Sequence, residues 1–242
     1  MKPKISVVIP AYNEEKLIAT CVRAVVNQSL AKDQYEVLVI DNNSSDKTAQ
    51  IAKKEGATVI PYTEKQGFAE AKQFGTSQAN ADIIAYTDAD SVPEHEWLEK
   101  LLMLMANEQY QCIGGTILST DSKGLSGLSF VLYDYLAAWN QLFGVSLIWS
   151  PNMAVRKAAF DAIGGFNLSI KTSDDWEFIL RMQKKFGRKS TLYSRHVLVK
   201  TSPRRQQSLS LMIPYTYIGI ANYLTLFVLR IPKTYGAPRT KR

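Results

Sequence analysis

Asp88-Ala89-Asp90 places two carboxylates one residue apart, directly after the apolar run Ile83-Ile84-Ala85-Tyr86-Thr87. That run reads as a buried strand, so the acids stand at a strand's carboxyl end. Two hard oxygen donors suit Mg²⁺ or Mn²⁺ better than a soft metal. An ion held there can neutralise a diphosphate, which points to a nucleotide-linked substrate. An Asp-x-Asp triplet also serves as a turn or a helix cap, so its surroundings must decide. A second acidic group, Asp174, Asp175 and Glu177, opens another helix. The macrodipole favours acids there, and capping accounts for that cluster on local grounds.

The elements that position these acids follow from hydrophobic spacing. Lys4–Ile9 reads as a strand ending at Pro10, and Glu14–Gln28 as a helix carrying Leu17, Ile18, Cys21, Val22 and Val25 on one face. Val37-Leu38-Val39-Ile40 is a continuous apolar run, as in parallel strands buried on both faces. Cap chemistry at Asn43–Asp46 predicts a helix to about Glu55, then a strand at Ala57–Pro61 and a helix at Phe68–Gln78. Strand and helix alternate four times, which argues βαβ units, a mainly parallel sheet flanked by helices and an α/β class. Ligands of such sheets sit beyond the carboxyl ends of the strands. That rule gathers Pro10–Glu14, Asp41–Asn43, Gly67-Phe68 and Asp88–Asp90 on one edge. No Gly-x-Gly-x-x-Gly or Walker loop is present, which disfavours dinucleotide and P-loop folds. In the second half Cys112–Thr120 reads as a strand, Ser150–Val155 as a short segment leading to a helix, and Gly164-Gly165 as a tight turn.

A chain of 242 residues suits one large domain. Cys21 and Cys112 have no metal spacing and read as core thiols of a reducing compartment. The N-terminus enters a strand at once, with no signal peptide, so export is not expected. Net charge is +7, unevenly spread: residues 178–242 hold 14 of the 29 Lys/Arg and none of the 22 Asp/Glu. A basic tail on an acidic body calls for a polyanionic partner. The basic residues flank an uncharged apolar stretch, Gln206–Leu229, which favours anionic lipid over nucleic acid. That stretch is long enough to span a bilayer, but Pro214, Gly219 and Asn222 weaken it as a spanning helix. A span, an in-plane segment and a buried helix pair broken at Pro214 all remain open. Leu125–Trp149 carries a single charge, Asp134, and fits either a core helix or an interfacial one.

Taken together these motifs resemble a family 2 glycosyltransferase of the GT-A fold, over nearly all of Ile5 to Arg205. The match rests on an ordered set: Val8–Glu14, Val39–Asp46, Asp88-Ala89-Asp90, Asn152–Arg156 with Gly164-Gly165-Phe166, and Asp174-Asp175. The resemblance implies a transferase domain over residues 1–205, with a nucleotide half to about 110 and an acceptor half from 111. Residues 206–242 are expected to form an apolar, then basic, segment that is membrane-interacting or transmembrane. It further implies nucleotide contacts, most often to UDP, from Pro10, Ala11, Tyr12, Glu14, Asp41, Lys65, Gly67, Asp88 and Ala89. Asp90 would hold Mg²⁺ or Mn²⁺, and Asp175 would be the catalytic base. Asn152, Asp174, Arg204 and Arg205 would bind acceptor or phosphate.

Two departures stand out. Ala71-Lys72-Gln73 replaces the frequent Ala-Arg-Asn, and Lys lacks the bidentate fork of Arg, which weakens a direct phosphate role. No Gln-x-x-Arg-Trp follows the acidic pair, which argues for one sugar per encounter. The implied partners are a nucleotide-sugar donor and a lipid or glycan acceptor, at the cytoplasmic side of a membrane. A sugar-nucleotide nucleotidyltransferase is the alternative enzyme, but Pro10–Glu14 is not its Gly-rich phosphate loop. A non-catalytic binding protein has no physical need for acids at Asp88, Asp90 and Asp175.

Overall fold

The structure, a computed structural model, describes residues 2–64, 67–121, 124–170, 174–204, 217 and 221–225, without the side chains of residues 124–126. Lys65, Arg205 and most of the 206–229 stretch lie outside the described residues. One eight-stranded sheet runs through the described molecule, in the order β3-β2-β1-β4-β7-β6-β8-β5. Its first four strands in that order are parallel: β3 (Thr58–Pro61), β2 (Tyr35–Asp41), β1 (Ile5–Ala11) and β4 (Ile83–Tyr86). The crossovers are α1 (Ile18–Val26), α2 (Thr48–Lys54) and α3 (Phe68–Gln78).

The continuous apolar runs behave as expected of strands buried on both faces. Val7, Ile9, Val37 and Val39 pack with α1 and with α4 (Trp97–Met105). Val8, Leu38 and Ile40 turn the other way, into a second core with α3, α6 (Lys157–Ala162) and α7 (Asp174–Phe186). Gly75 makes the close approach of α3 possible: a Cβ there would lie 2.5 Å from Val8 Cγ1 and 2.8 Å from Ile40 Cγ1.

Two boundaries differ from the sequence reading. β1 continues through Pro10 to Ala11, because its register with β4 ends at Val8↔Tyr86. Beyond that point the missing proline N–H interrupts no ladder on the β4 side. α1 starts at Ile18 rather than Glu14, because the Glu14 carbonyl takes the N–H groups of Leu17 and Ile18 in a turn. The Glu14 N–H meanwhile donates to Thr48 Oγ1 (2.7 Å), which ties this loop to the start of α2.

The second half joins the same sheet by a different route. β7 (Met153–Arg156) lies antiparallel between β4 and β6 (Cys112–Ser119). β8 (Thr191–Thr201) runs parallel to β6, and β5 (Ser91–Pro93) closes the edge against β8. β5 begins immediately after Asp90, yet it lies four positions from β4. The Asp88–Asp90 turn therefore bridges from β4 to the far end of the sheet. Cys21 and Cys112 are both buried, unpaired thiols.

Asn152, expected to contact acceptor or phosphate, is used inside the fold instead. It is fully buried. Its Oδ1 accepts from Trp97 Nε1 (2.9 Å), and its Nδ2 donates to the carbonyls of Thr116 (2.9 Å) and Val197 (3.0 Å). It pins α4, β6 and β8 together at the register shift between Gly115 and Thr116. The Asn152→Ala variant leaves one buried donor and two carbonyls without this partner, at about 1–3 kcal/mol for each unsatisfied group. We expect a loss on the order of 3 kcal/mol, read as a lower urea midpoint by circular dichroism; an unchanged midpoint contradicts this role.

Candidate active site

The acids gather where the strand ends do. Asp88 opens a turn in which its carbonyl accepts the Ser91 N–H (3.0 Å) and the Cys21 thiol (3.2 Å). Burial, then the nearby Asp90 and Asp88 charges, push the Cys21 pKa up, so the thiol stays protonated and able to donate. The Asp90 carbonyl takes the Ser202 N–H (3.2 Å), which fastens the turn to the end of β8. That anchorage delivers Arg204. Its Nη2 lies 2.7 Å from Asp90 Oδ2 and 2.8 Å from Glu14 Oε1. Burial works against the guanidinium charge, but Glu14 and Asp90 outweigh it and raise the Arg204 pKa.

Two clefts meet at Asp88 and Asp90. The first, of about 200 Å³, is lined by Pro10, Glu14, Phe68, Asp88, Ala89, Asp90 and Arg204. The second, of about 510 Å³, combines Asp88 and Asp90 with an apolar, aromatic wall that includes Phe130, Trp149 and Pro151. The two acids are the wall the clefts share. Phe130 belongs to α5 (Gly124–Leu142).

The remaining nucleotide-side residues form a braced rim. Ala11 is buried in β1, and its carbonyl takes the Asn42 N–H (2.8 Å). Tyr12 sits in the loop that follows, half-buried. Asp41 ends β2, where its Oδ1 accepts the Ser44 N–H (3.3 Å). Gly67 stands before α3, its carbonyl accepting from Asn42 Nδ2 (3.1 Å). Asn13 (φ 53°) and Asn43 (φ 63°) both adopt left-handed backbone, which Asn tolerates better than most residues. Ser44 and Ser45 bind Asn13 across the gap.

The second acidic pair is more than a cap. Lys72, almost fully buried in α3, reaches Asp174 Oδ2 at 2.8 Å and Ser150 Oγ at 3.1 Å, and its ammonium sits 4.3 Å from the centre of the Phe166 ring. Asp174 is thus occupied by an internal cation. Burial opposes the Lys72 charge, but Asp174 and Asp175 outweigh it and hold its pKa above the usual lysine value. Asp175 accepts the backbone N–H groups of Ser150 (3.1 Å) and Trp176 (2.9 Å). Burial, then the Asp174 charge, raise the Asp175 pKa to about 7, against the pull of Lys72 and the two N–H groups. Part of the Asp175 surface stays open to solvent, which softens that push. Asp175 does not line either cleft; it binds Ser150, whose neighbours Trp149 and Pro151 do.

The structure therefore gathers Pro10, Glu14, Asp88, Ala89, Asp90 and Arg204 at one cleft and sets Asp174-Asp175 behind the other. The strand-end rule had placed Phe68 at this edge, whereas sequence reading missed Phe130 and Trp149 as lining groups and Lys72 as a counter-ion. Among the described residues no three His, Cys, Asp or Glu are placed to hold an ion. Two carboxylates at Asp88 and Asp90 nevertheless fit a hard divalent ion that completes its shell with water and substrate phosphate.

Several known proteins share this architecture. A glycosyltransferase of Haloferax volcanii, AglE, is 31% identical over 172 residues, covering 68% of this chain and 56% of its own length. The chain spans about half the length of the curated relatives it matches, as with 46% of a probable Bacillus subtilis glycosyltransferase. A Pyrobaculum calidifontis mannosyltransferase solved with GDP-Man and Mn²⁺ superposes with a TM-score of 0.75 at 18% identity, over 97% of this chain and 66% of that one. Glucosyl-3-phosphoglycerate synthase of Mycobacterium tuberculosis, solved with Mn²⁺, UDP-glucose and phosphoglyceric acid, gives 0.69 at 20% identity, over 98% and 88%. These likenesses confirm the fold expected from the motifs. Residues 6–164, which carry the strand-end loops, the Asp88-Ala89-Asp90 turn and the two clefts' shared wall, match glycosyl transferase family 2, and the chain belongs to that family.

Proposed function

We propose that the protein moves one sugar from a nucleotide-sugar, a UDP-sugar, to a hydroxyl or phosphate of a lipid-linked or membrane-located acceptor, with inversion. The observation that carries this reading is the shared wall: Asp88 and Asp90 face a polar cleft on one side and an aromatic one on the other. A donor diphosphate on the polar side and an acceptor on the aromatic side would meet at these acids. Asp41, Tyr12 and Glu14 brace the nucleoside end, and Phe130 and Trp149 offer apolar surface to the acceptor.

Each step uses groups of this chain. Asp88 and Asp90 would hold Mg²⁺ or Mn²⁺, which supplies charge neutralisation to the departing diphosphate. Arg204 must release Asp90 as donor enters, since its guanidinium already occupies the carboxylate that would hold the metal ion. Once free, its guanidinium can turn to the diphosphate. Asp175 would take the acceptor proton as oxygen attacks the anomeric carbon, and a carboxylate titrating near neutrality suits that task. Lys72 holds Asp174 and keeps Asp175 from rising further. A single base opposite the leaving group gives inversion.

Three outcomes test this. In a screen of UDP-, GDP- and dTDP-sugars, Asp90→Ala should lose metal-dependent donor binding. Asp175→Asn should keep donor binding and lose transfer by about 10²–10⁴-fold; full transfer in that variant removes Asp175 from the base role. Replacing Arg204 by Gln should act in opposite senses. Mn²⁺ binding in the absence of donor should tighten and UDP binding should weaken, each by about tenfold, as expected for one charge-assisted contact.

A fourth outcome concerns pH. The charged and titratable groups facing Asp175 are Asp174 beside it, Lys72 on α3 and Tyr133 on α5. A base acts as its anion, so transfer should fall as pH drops below about 7. Lys72→Met removes a positive neighbour and should move that acid limb up, and Asp174→Asn removes a negative one and should move it down, each by about one pH unit. Limbs that do not move, or move together, refute the tuning. Stability carries the opposite sign. A carboxyl with a raised folded pKa stabilises fully below pH 4 and loses that contribution as pH rises through about 7. The melting temperature of Asp175→Asn should therefore gain on the parent chain between pH 4 and 7.

A further inference from the structure

Helix α5 is built with its polarity reversed. The inward face carries its only charge and its amide: Asp134 and Asn140 are buried, alongside Phe130 and Ala137. Asp134 is satisfied there by Thr116 Oγ1 (2.6 Å), Tyr193 Oη (2.8 Å) and the Arg195 guanidinium (2.9 Å). The outward face holds Leu128, Leu132, Tyr135, Trp139, Leu142 and Phe143, every one at least 53% exposed. Spacings of three and four residues put them on one stripe. Soluble helices place charges on such a face. A contiguous apolar stripe without one marks an interaction surface.

Three observations identify what it meets. First, the rim is basic. Arg195 stacks over Tyr135, with its guanidinium 4.7 Å from the ring centre. Arg188 packs over Gly144 just past the helix, and Lys184, Lys185 and Lys189 are exposed around the end of α7, which Gln183 ties to the Gly144 carbonyl (3.1 Å). Second, Tyr223, from within the uncharged stretch, is seated on this helix, its Oη donating to Asn140 Oδ1 (2.7 Å). Third, the exposed stripe includes Tyr135 and Trp139, whose amphipathic rings favour the bilayer interface. Two copies of the chain meeting through this face would bring like-charged rims together, which opposes a symmetric dimer. Anionic headgroups reverse that sign.

We propose that the outer face of α5 is an in-plane docking surface for an anionic lipid bilayer. The stripe enters the acyl boundary while Arg195, Arg188 and the α7 lysines engage phosphate headgroups. Phe130 on the inner face of the same helix lines the aromatic cleft, so docking sets that cleft beside the lipid surface. This placement deepens the proposed function and rests on it only for the identity of the acceptor.

The test uses the full chain and vesicles of phosphatidylcholine, with and without phosphatidylglycerol, in the absence of any donor or acceptor. The chain should co-sediment with the anionic vesicles, and brominated lipid should quench a component of its fluorescence that Trp139→Phe removes. A Leu132→Glu/Trp139→Glu variant should lose vesicle partitioning by at least about tenfold, since each charge opposes entry to the acyl boundary, and should keep the parent's UDP-sugar binding. Unchanged partitioning in that variant overturns the proposal. So does a parent chain that dimerises without vesicles and becomes monomeric in the variant, because the face is then an interface between copies. Protection of residues 128–143 from hydrogen exchange without lipid also overturns it, because the face is then covered by the chain itself. Vesicle docking without any nucleotide-sugar binding would leave the surface intact and remove the proposed function; the reverse result would remove the surface alone.

Discussion

The whole site depends on concentrating carboxylates at one sheet edge without letting them repel the fold apart. Glu14, Asp88, Asp90, Asp174 and Asp175 come from three separate stretches of chain. Two cations brace them, and both arrive from far away in sequence. Lys72 reaches Asp174 across 102 positions, and Arg204 reaches Glu14 across 190. Their burial differs, and so does their consequence. Lys72 is almost fully buried beneath Asp174, a fixed internal counter-ion in a low-dielectric setting. Arg204 keeps 40% of its side chain in solvent, so its hold on Glu14 and Asp90 is screened and exchangeable. One cation sets the electrostatics of the site permanently; the other occupies it conditionally.

That division explains the sheet topology around the site. The Asp88–Asp90 turn must leave β4 and enter β5 at the opposite edge, and β8 must end beside it for Ser202 to bind Asp90. The antiparallel β7 fills the space between, and Asn152 locks it to α4 and β8. A polar residue at full burial is tolerable here because its three hydrogen bonds are all made within the core. The turn carrying the acids therefore hangs between two rigid strands rather than on a free loop.

The parallel half of the fold was legible because its causes are local. Continuous Val and Ile runs, the Asn43–Asp46 cap chemistry and the strand-end rule placed β1 to β4, α2, α3 and the acidic edge close to their observed bounds. What was not legible depends on pairing across distance. Nothing near Lys72 shows that its charge belongs to Asp174, and the departure from Ala-Arg-Asn suggested only a weakened phosphate contact. Asn152 stands in a motif that reads as a site, yet its amide is consumed by two carbonyls and an indole that only the folded sheet brings together. The composition of Leu125–Trp149 fitted a core helix and an interfacial helix equally. The core description holds for the buried face of α5, the interfacial one is what we propose for its exposed face, and a single hydrophobicity value averages the two faces away.

In the proposed reaction, the two clefts also bear on how donor and acceptor are kept apart. In that proposed reaction Arg204, held by Glu14 and Asp90 on the wall of the polar cleft, acts as a charged gate to it. The aromatic cleft has Phe130, Trp149 and Ile117 on its wall and no such gate. In the same proposed reaction an apolar acceptor meets Ile117, Phe130 and Trp149 there beside Asp88 and Asp90, and an anionic donor finds no cation among the lining residues. On that proposed reading, discrimination between the two substrates is built into the clefts. It follows from placing one pair of carboxylates between a cleft governed by charge and a cleft governed by apolar contact.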